Sequence, residues 1–120
     1  MGHNFPNDLH GKMLFIVNPA AGNGKGRKTW HRLESILQRD DIPHEVVMTS
    51  GPKEAIELAA RAVERQPLAI VAVGGDGTLH EVVQGLATKA RSCPVTYIPA
   101  GSGNDFARAL HIPFDPEEAI

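Results

Sequence analysis

Val73-Gly74-Gly75-Asp76-Gly77-Thr78 decides how this chain is read. Before it stands an unbroken apolar run, Leu68-Ala69-Ile70-Val71-Ala72-Val73, the pattern of a strand buried on both faces. After it, Leu79, Val82, Val83 and Leu86 recur at i, i+3, i+4 and i+7, the apolar face of a helix. Three glycines, an acid and a hydroxyl therefore sit where a strand becomes a helix. Glycine allows a ligand to approach bare backbone. A helix N-terminus offers unpaired N–H groups and partial positive charge, which suits phosphate. Thr78 followed by Glu81 has the spacing of a capping box and predicts that the helix begins there.

The same pattern recurs in both directions along the chain. Met13 to Val17 reads as a first strand. The glycine-rich segment Asn18-Pro19-Ala20-Ala21-Gly22-Asn23-Gly24-Lys25-Gly26 follows, then a helix with Trp30, Leu33, Ile36 and Leu37 inward. This segment is not a Walker A loop, because Gly26 stands where Ser or Thr is needed, and it contains no G-x-G-x-x-G. On local sequence it is either a phosphate cradle or a flexible linker, and Lys25, Arg27 and Lys28 are phosphate ligands or solvated charge. His44 to Met48 reads as a second strand, running to Thr49. Pro52 at a first helical position, with Glu54 two later, predicts a helix with Ile56, Ala59, Ala60 and Val63 inward. Val95 to Ile98 reads as a fourth strand. It enters Pro99-Ala100-Gly101-Ser102-Gly103-Asn104-Asp105, with Phe106, Ala109 and Leu110 as the next apolar face. Asp115-Pro116-Glu117-Glu118 has the signals of a further helix start, expected to continue into a longer protein.

Strands alternating with helices predict an α/β fold, three layers with a mainly parallel, Rossmann-like sheet. Every unusual loop follows a strand's C-terminal end, the edge at which such sheets bind ligands. That placement argues for a phosphate-bearing ligand without appeal to any family.

Composition narrows the choice. The chain has 120 residues, 42% hydrophobic and 22% charged, enough for one small domain. A formal net charge of −2 gives no basic field for nucleic acid. No stretch of 18 apolar residues is present, and Met1 to Lys12 lacks a signal-peptide core. Residues 1–11 show no periodicity and read as a flexible tail ahead of a domain over residues 12–120. The single cysteine, Cys93, reads as an unreactive thiol, and with the missing signal it fits a reducing, cytoplasmic setting. His3 and His10 lack a third ligand at metal-site spacing, so no residue is assigned as a direct metal ligand.

Three motifs in order then carry a resemblance: Asn18-Pro19 with its glycine-rich turn, Gly74-Gly75-Asp76-Gly77-Thr78-Leu79-His80-Glu81, and Gly101-Ser102-Gly103-Asn104-Asp105-Phe106-Ala107-Arg108. The chain resembles the N-terminal nucleotide-binding domain of the diacylglycerol kinase superfamily, which includes bacterial soluble lipid kinases and sphingosine kinases. The resemblance implies phosphorylation of a lipid hydroxyl by Mg-ATP. It implies ATP contacts from Asn18, Pro19, Ala20, Ala21, Gly22, Thr49, Gly75, Asp76, Gly77, Thr78, Leu79, His80, Glu81 and Ser102. Asp76 would be the catalytic acid nearest the reacting centre and its magnesium. His80 and Ser102 stand where the family commonly has Asn and Thr; Ser102 keeps the hydroxyl, and His80 is equally a helix-surface residue. The family's second, mostly β domain would close the cleft and supply the general base, so this chain alone is expected to turn over poorly. A lipid substrate also implies peripheral contact with the inner membrane face, and a homodimer is open.

Other readings remain. NAD kinases share the Gly-Gly-Asp-Gly-Thr segment, although the Pro99 to Arg108 stretch fits lipid kinases better. A non-catalytic nucleotide-binding module would need no second domain. A dinucleotide-binding dehydrogenase domain would need G-x-G-x-x-G after the first strand and an acid where Thr49 stands.

Overall fold

The computed structural model describes residues 5–90 and 93–101. Seven elements alternate: β1 (Met13–Val17), α1 (Ala21–Arg39), β2 (His44–Met48), α2 (Glu54–Val63), β3 (Ala69–Gly74), α3 (Asp76–Ala87) and β4 (Val95–Pro99). The four strands form one parallel sheet in the order β2-β1-β3-β4. The expected α/β architecture is therefore present. Ser102, the apolar face of Phe106, Ala109 and Leu110, and the helix start at Asp115 lie outside the described residues.

Alternation along the two central strands sorts the core into two halves. Leu14, Ile16, Ile70 and Ala72 point to one face, where they meet Ala55, Leu58, Ala59 and Ala62 of α2 and Val82 of α3. Met13, Phe15, Val17, Val71 and Val73 point to the other, against Trp30, Leu33 and Leu37 of α1. Helices on both faces explain why β1 and β3 are apolar throughout: every residue of both strands is buried. The inward face of α2 keeps the expected Ala59 and Val63 but is turned away from the other two expected residues. Ala55, Leu58 and Ala62 are buried, whereas Ile56 and Ala60 are only half-buried. Small side chains let α3 come close to α2, so that a Cβ on Gly85 would lie 2.1 Å from the Ile56 carbonyl oxygen.

Residues 5–11 do not form a free tail. Phe5 and Leu9 are buried in the core half shared with α2. The Arg61 and Arg65 guanidiniums stack over the Phe5 ring at 4.5 and 4.8 Å from its centre. His10 bridges to Pro67, and the Lys12 amide donates to the Leu9 carbonyl. Burying a leucine contributes about 2 kcal/mol toward offsetting the entropy of ordering this segment. Two isolated apolar residues have no period, which is why sequence pattern does not find them.

Candidate functional site

Three of the four strands, β1, β2 and β4, continue their ladders one residue into the following loop. Asn18 N–H donates to the Val73 carbonyl, Thr49 N–H to that of Val17, and Ala100 N–H to that of Gly74, each at 2.8 Å. The loops after β1, β2 and β4 are thus fixed to their neighbours' C-terminal ends. From the sheet centre, β1 leads to α1 on one face and β3 leads to α3 on the other. Neighbouring strands whose connections leave in opposite directions open a crevice between their loops.

That crevice is a cleft of about 760 Å3, within the roughly 300–1,000 Å3 usual for small-molecule sites. Asn18 to Gly22 form one wall, Thr49 to Pro52 with Ala55 the second, and Gly75, Gly77, Thr78 and Glu81 the third. The three loops singled out in the sequence before residue 99 therefore converge. Three of the expected residues are not on the walls among the described residues. Leu79 packs toward the core, and Asp76 and His80 are exposed at the start of α3.

Local geometry explains the first wall. Gly22, Asn23 and Gly24 all have left-handed backbone, with φ of 61°, 58° and 94°, and interrupt α1 near its start. The Asn18 side chain accepts a hydrogen bond from the Ala20 amide at 3.2 Å. The regular part of α1 then passes so close to the loop that a Cβ on Gly26 would fall 2.0 Å from the Asn18 carbonyl oxygen. The Lys25 stem lies against Gly22 and Gly101, and the buried Thr29 hydroxyl accepts from the Gly101 amide at 2.9 Å. These contacts join the first loop to the fourth. Arg27 lines the cleft, and its guanidinium has no ion-pair partner among the described residues.

The second and third walls differ from the expected caps. Helix α2 begins at Glu54, and its N-cap is Lys53 in a left-handed conformation. The Glu54 carboxylate turns back to the Ser50 amide and hydroxyl, at 2.9 and 2.7 Å. Helix α3 begins at Asp76 with Gly75 as N-cap, two residues ahead of Thr78, and no side chain caps it. Glu81 does not reach back to Thr78 as a capping box requires. Its Oε2 accepts from the Lys53 amide at 3.1 Å. The Thr78 N–H donates to the Gly75 carbonyl at 3.0 Å, which leaves the Asp76 and Gly77 N–H groups without an intrahelical acceptor at the positive end of the helix dipole.

Two observations point from this geometry to a ligand. Thr49 and Thr78 are 8% and 7% exposed, and neither hydroxyl has a hydrogen-bond partner among the described residues. Buried polar groups are normally satisfied. Gly75 and Gly77, in contrast to Gly26, have nothing within 4 Å of where a Cβ would sit. Gly75 is extended (φ −97°, ψ −177°), a conformation open to any residue. Neither packing nor backbone shape requires these two glycines, and the space over them is open.

Asp76 has a neighbour that sequence pattern did not reveal. The Tyr97 hydroxyl, half-buried on β4, donates to Asp76 Oδ1 at 3.2 Å and lies 3.4 Å from the Gly74 carbonyl. Burial first, and the adjacent carboxylate second, push the Tyr97 phenol above its ordinary range, so it remains a donor. In the same core half, just ahead of β4, burial pushes the Cys93 thiol up, which fits the unreactive cysteine expected. Among the described residues no group of three His, Cys, Asp or Glu side chains could hold a metal ion. No described helix is long and apolar enough to cross a membrane.

Comparison with known proteins gives a consistent set of likenesses. The family model described as the diacylglycerol kinase catalytic domain matches residues 12–120. A diacylglycerol kinase of Staphylococcus saprophyticus is 36% identical over 105 residues, covering 88% of this chain and 34% of that protein. Sphingoid long-chain bases kinase 1 of Arabidopsis thaliana is 39% identical over 100 residues, covering 78% of this chain and 13% of that protein. A crystal structure of a diacylglycerol kinase from Bacillus anthracis superimposes with a TM-score of 0.66 at 30% identity, covering 91% of this chain and 38% of that one. The chain spans about a third of the length of these bacterial relatives.

Proposed function

The chain belongs to the diacylglycerol kinase catalytic domain family, and from that premise we propose that its cleft binds Mg-ATP for phosphorylation of a lipid hydroxyl by the whole protein. The observation that carries this reading is the pair of unforced glycines, Gly75 and Gly77, at the N-terminus of α3. Phosphate oxygens can reach first-turn N–H groups only where no side chain intervenes. The Thr49 and Thr78 hydroxyls, unpartnered among the described residues, would supply further bonds for a phosphate or ribose oxygen. Asn18 to Gly22 would cradle the phosphates from the β1 side, and Ser102 would add a hydroxyl from the fourth loop.

Magnesium fits a modest part of this site. Bound to a nucleotide, it takes most ligands from phosphate and water and needs only one or two carboxylates. Asp76, exposed beside the glycines and oriented by Tyr97, would be that carboxylate. The ion would neutralise phosphate charge. The protein's own part is to position phosphates by backbone N–H groups and to fix the Asp76 carboxylate, which is what phosphoryl transfer chiefly demands. We assign the lipid wall and the proton acceptor to the remainder of the whole protein, and so expect the 120-residue chain alone to turn over poorly.

The test is transfer of labelled γ-phosphate by the whole protein to diacylglycerol, a sphingoid base and NAD in parallel. Label in a lipid, reduced about a hundredfold or more by Asp76→Ala, is expected. Label in NAD alone, or in none of the three from a folded sample, contradicts the proposal.

A further inference from the structure

We propose that Glu81 is a positioning residue: from α3 it holds the Thr49–Lys53 loop in the shape that forms the second wall of the cleft, by capping the left-handed residue Lys53. This rests on the reading of the cleft as a nucleotide site. It assigns Glu81 a role toward the protein in place of the direct nucleotide contact that the family resemblance implies.

Lys53 is an unusual N-cap. Its φ of 69° and ψ of −4° lie in the left-handed region, which a residue with a Cβ occupies at a cost. The usual means of satisfying an N-cap amide is a carboxylate at the third helical position. In α2 that position is Ile56, which has none. Glu54 is engaged at the other end of the loop, on the Ser50 amide and hydroxyl. The Lys53 amide is therefore satisfied from 28 residues away, by Glu81 Oε2 at 3.1 Å. Between these two anchors lie Gly51 and Pro52, both on the cleft wall. Glu81 also stands one helical turn beyond Gly77, so the helix that presents amides to the phosphates fixes the wall facing them. Removing the carboxylate deprives Lys53 of its acceptor and frees it to leave the left-handed region, which moves Gly51 and Pro52.

The inference is tested by suppression. Glu81→Ala is expected to weaken Mg-ATP binding about tenfold, the scale of one charge-assisted hydrogen bond. Glu81→Gln keeps an acceptor and is expected to bind nearly as the wild type. Adding Lys53→Gly to Glu81→Ala is expected to restore affinity to within about threefold, because glycine holds the left-handed shape without a carboxylate. Adding Lys53→Ala is expected not to restore it. If Glu81 instead touches the nucleotide, Lys53→Gly restores nothing, and the inference is overturned. Glu81→Asp, which keeps the charge but shortens its reach, replaces Glu81→Ala should the latter fail to fold, with the same loss and rescue expected.

Hydrogen exchange at the Lys53 amide, measured without nucleotide, separates this inference from the site reading. Protection lost in Glu81→Ala and kept in Glu81→Gln supports the clamp. Equal protection in both variants overturns it. A folded wild type that binds no nucleotide would refute the site reading, while the exchange result would still decide the clamp.

Discussion

Gly26 and Gly77 invite comparison because each stands near the start of a helix that follows a strand, in a segment where every second or third residue is glycine. Gly26 is buried, and a Cβ there would meet the Asn18 carbonyl oxygen at 2.0 Å. Gly77 is exposed, and a Cβ there would meet nothing within 4 Å. One glycine lets the protein approach itself, and the other leaves room for something that is not protein. Gly85, with the Ile56 carbonyl at 2.1 Å, belongs with Gly26, and Gly75 belongs with Gly77. The same residue type thus serves packing in one place and lines the proposed site in the other, and only the surrounding atoms distinguish them.

The comparison breaks most severely at Gly26. Gly26→Ala must displace the loop after β1 from α1, and it is expected to cost about 3 kcal/mol or more, the scale of a forced overpacking. Urea denaturation measures it; a variant as stable as the wild type would show that the close approach is not enforced.

Gly77→Ala is expected to do the reverse. Alanine in a helix is favoured over glycine by roughly 0.5–1 kcal/mol, so the variant should be slightly more stable. Its added methyl stands over the first-turn amides, so Mg-ATP affinity should fall about tenfold. A loss of stability together with binding would place Gly77 among the packing glycines.

Tyr97→Phe is expected to have the smallest effect. It removes one hydrogen bond to the Asp76 carboxylate, worth about 1 kcal/mol at this solvent-screened position, and should raise the magnesium concentration needed for half-maximal nucleotide binding a few-fold. Unchanged magnesium dependence would mean that Tyr97 does not orient the carboxylate.

Much of the fold is legible before any coordinates. Met13–Val17 and His44–Met48 fall at the expected bounds because the first is an apolar run and the second, with Val46 and Val47 at its centre, lies between Pro43 and the Thr49-Ser50-Gly51-Pro52 turn. The strand-end loops also declare themselves, since glycine clusters after strands leave few other geometries. Helix starts are less legible. Thr78 and Glu81 have capping-box spacing, yet α3 starts at Asp76 because Glu81 is engaged with Lys53. Pro52 precedes α2 by two residues for a similar reason, Glu54 being bound to Ser50. Phe5 and Leu9 are hidden from pattern because tertiary contact alone buries them. Thr29 and Tyr97 are single polar residues in apolar periods, and their partners Gly101 and Asp76 lie 72 and 21 positions away. Sequence spacing reports what one element does for itself; it does not report which side chain another element will need.

The most direct measurement is an amide NMR titration of this chain with Mg-ATP. The amides of Gly75, Gly77 and Thr49 are expected to shift together at one affinity, with Gly85 unmoved. Shifts confined to other surfaces, or no shift in a folded sample at millimolar nucleotide, would contradict the claim that these loops form a nucleotide site.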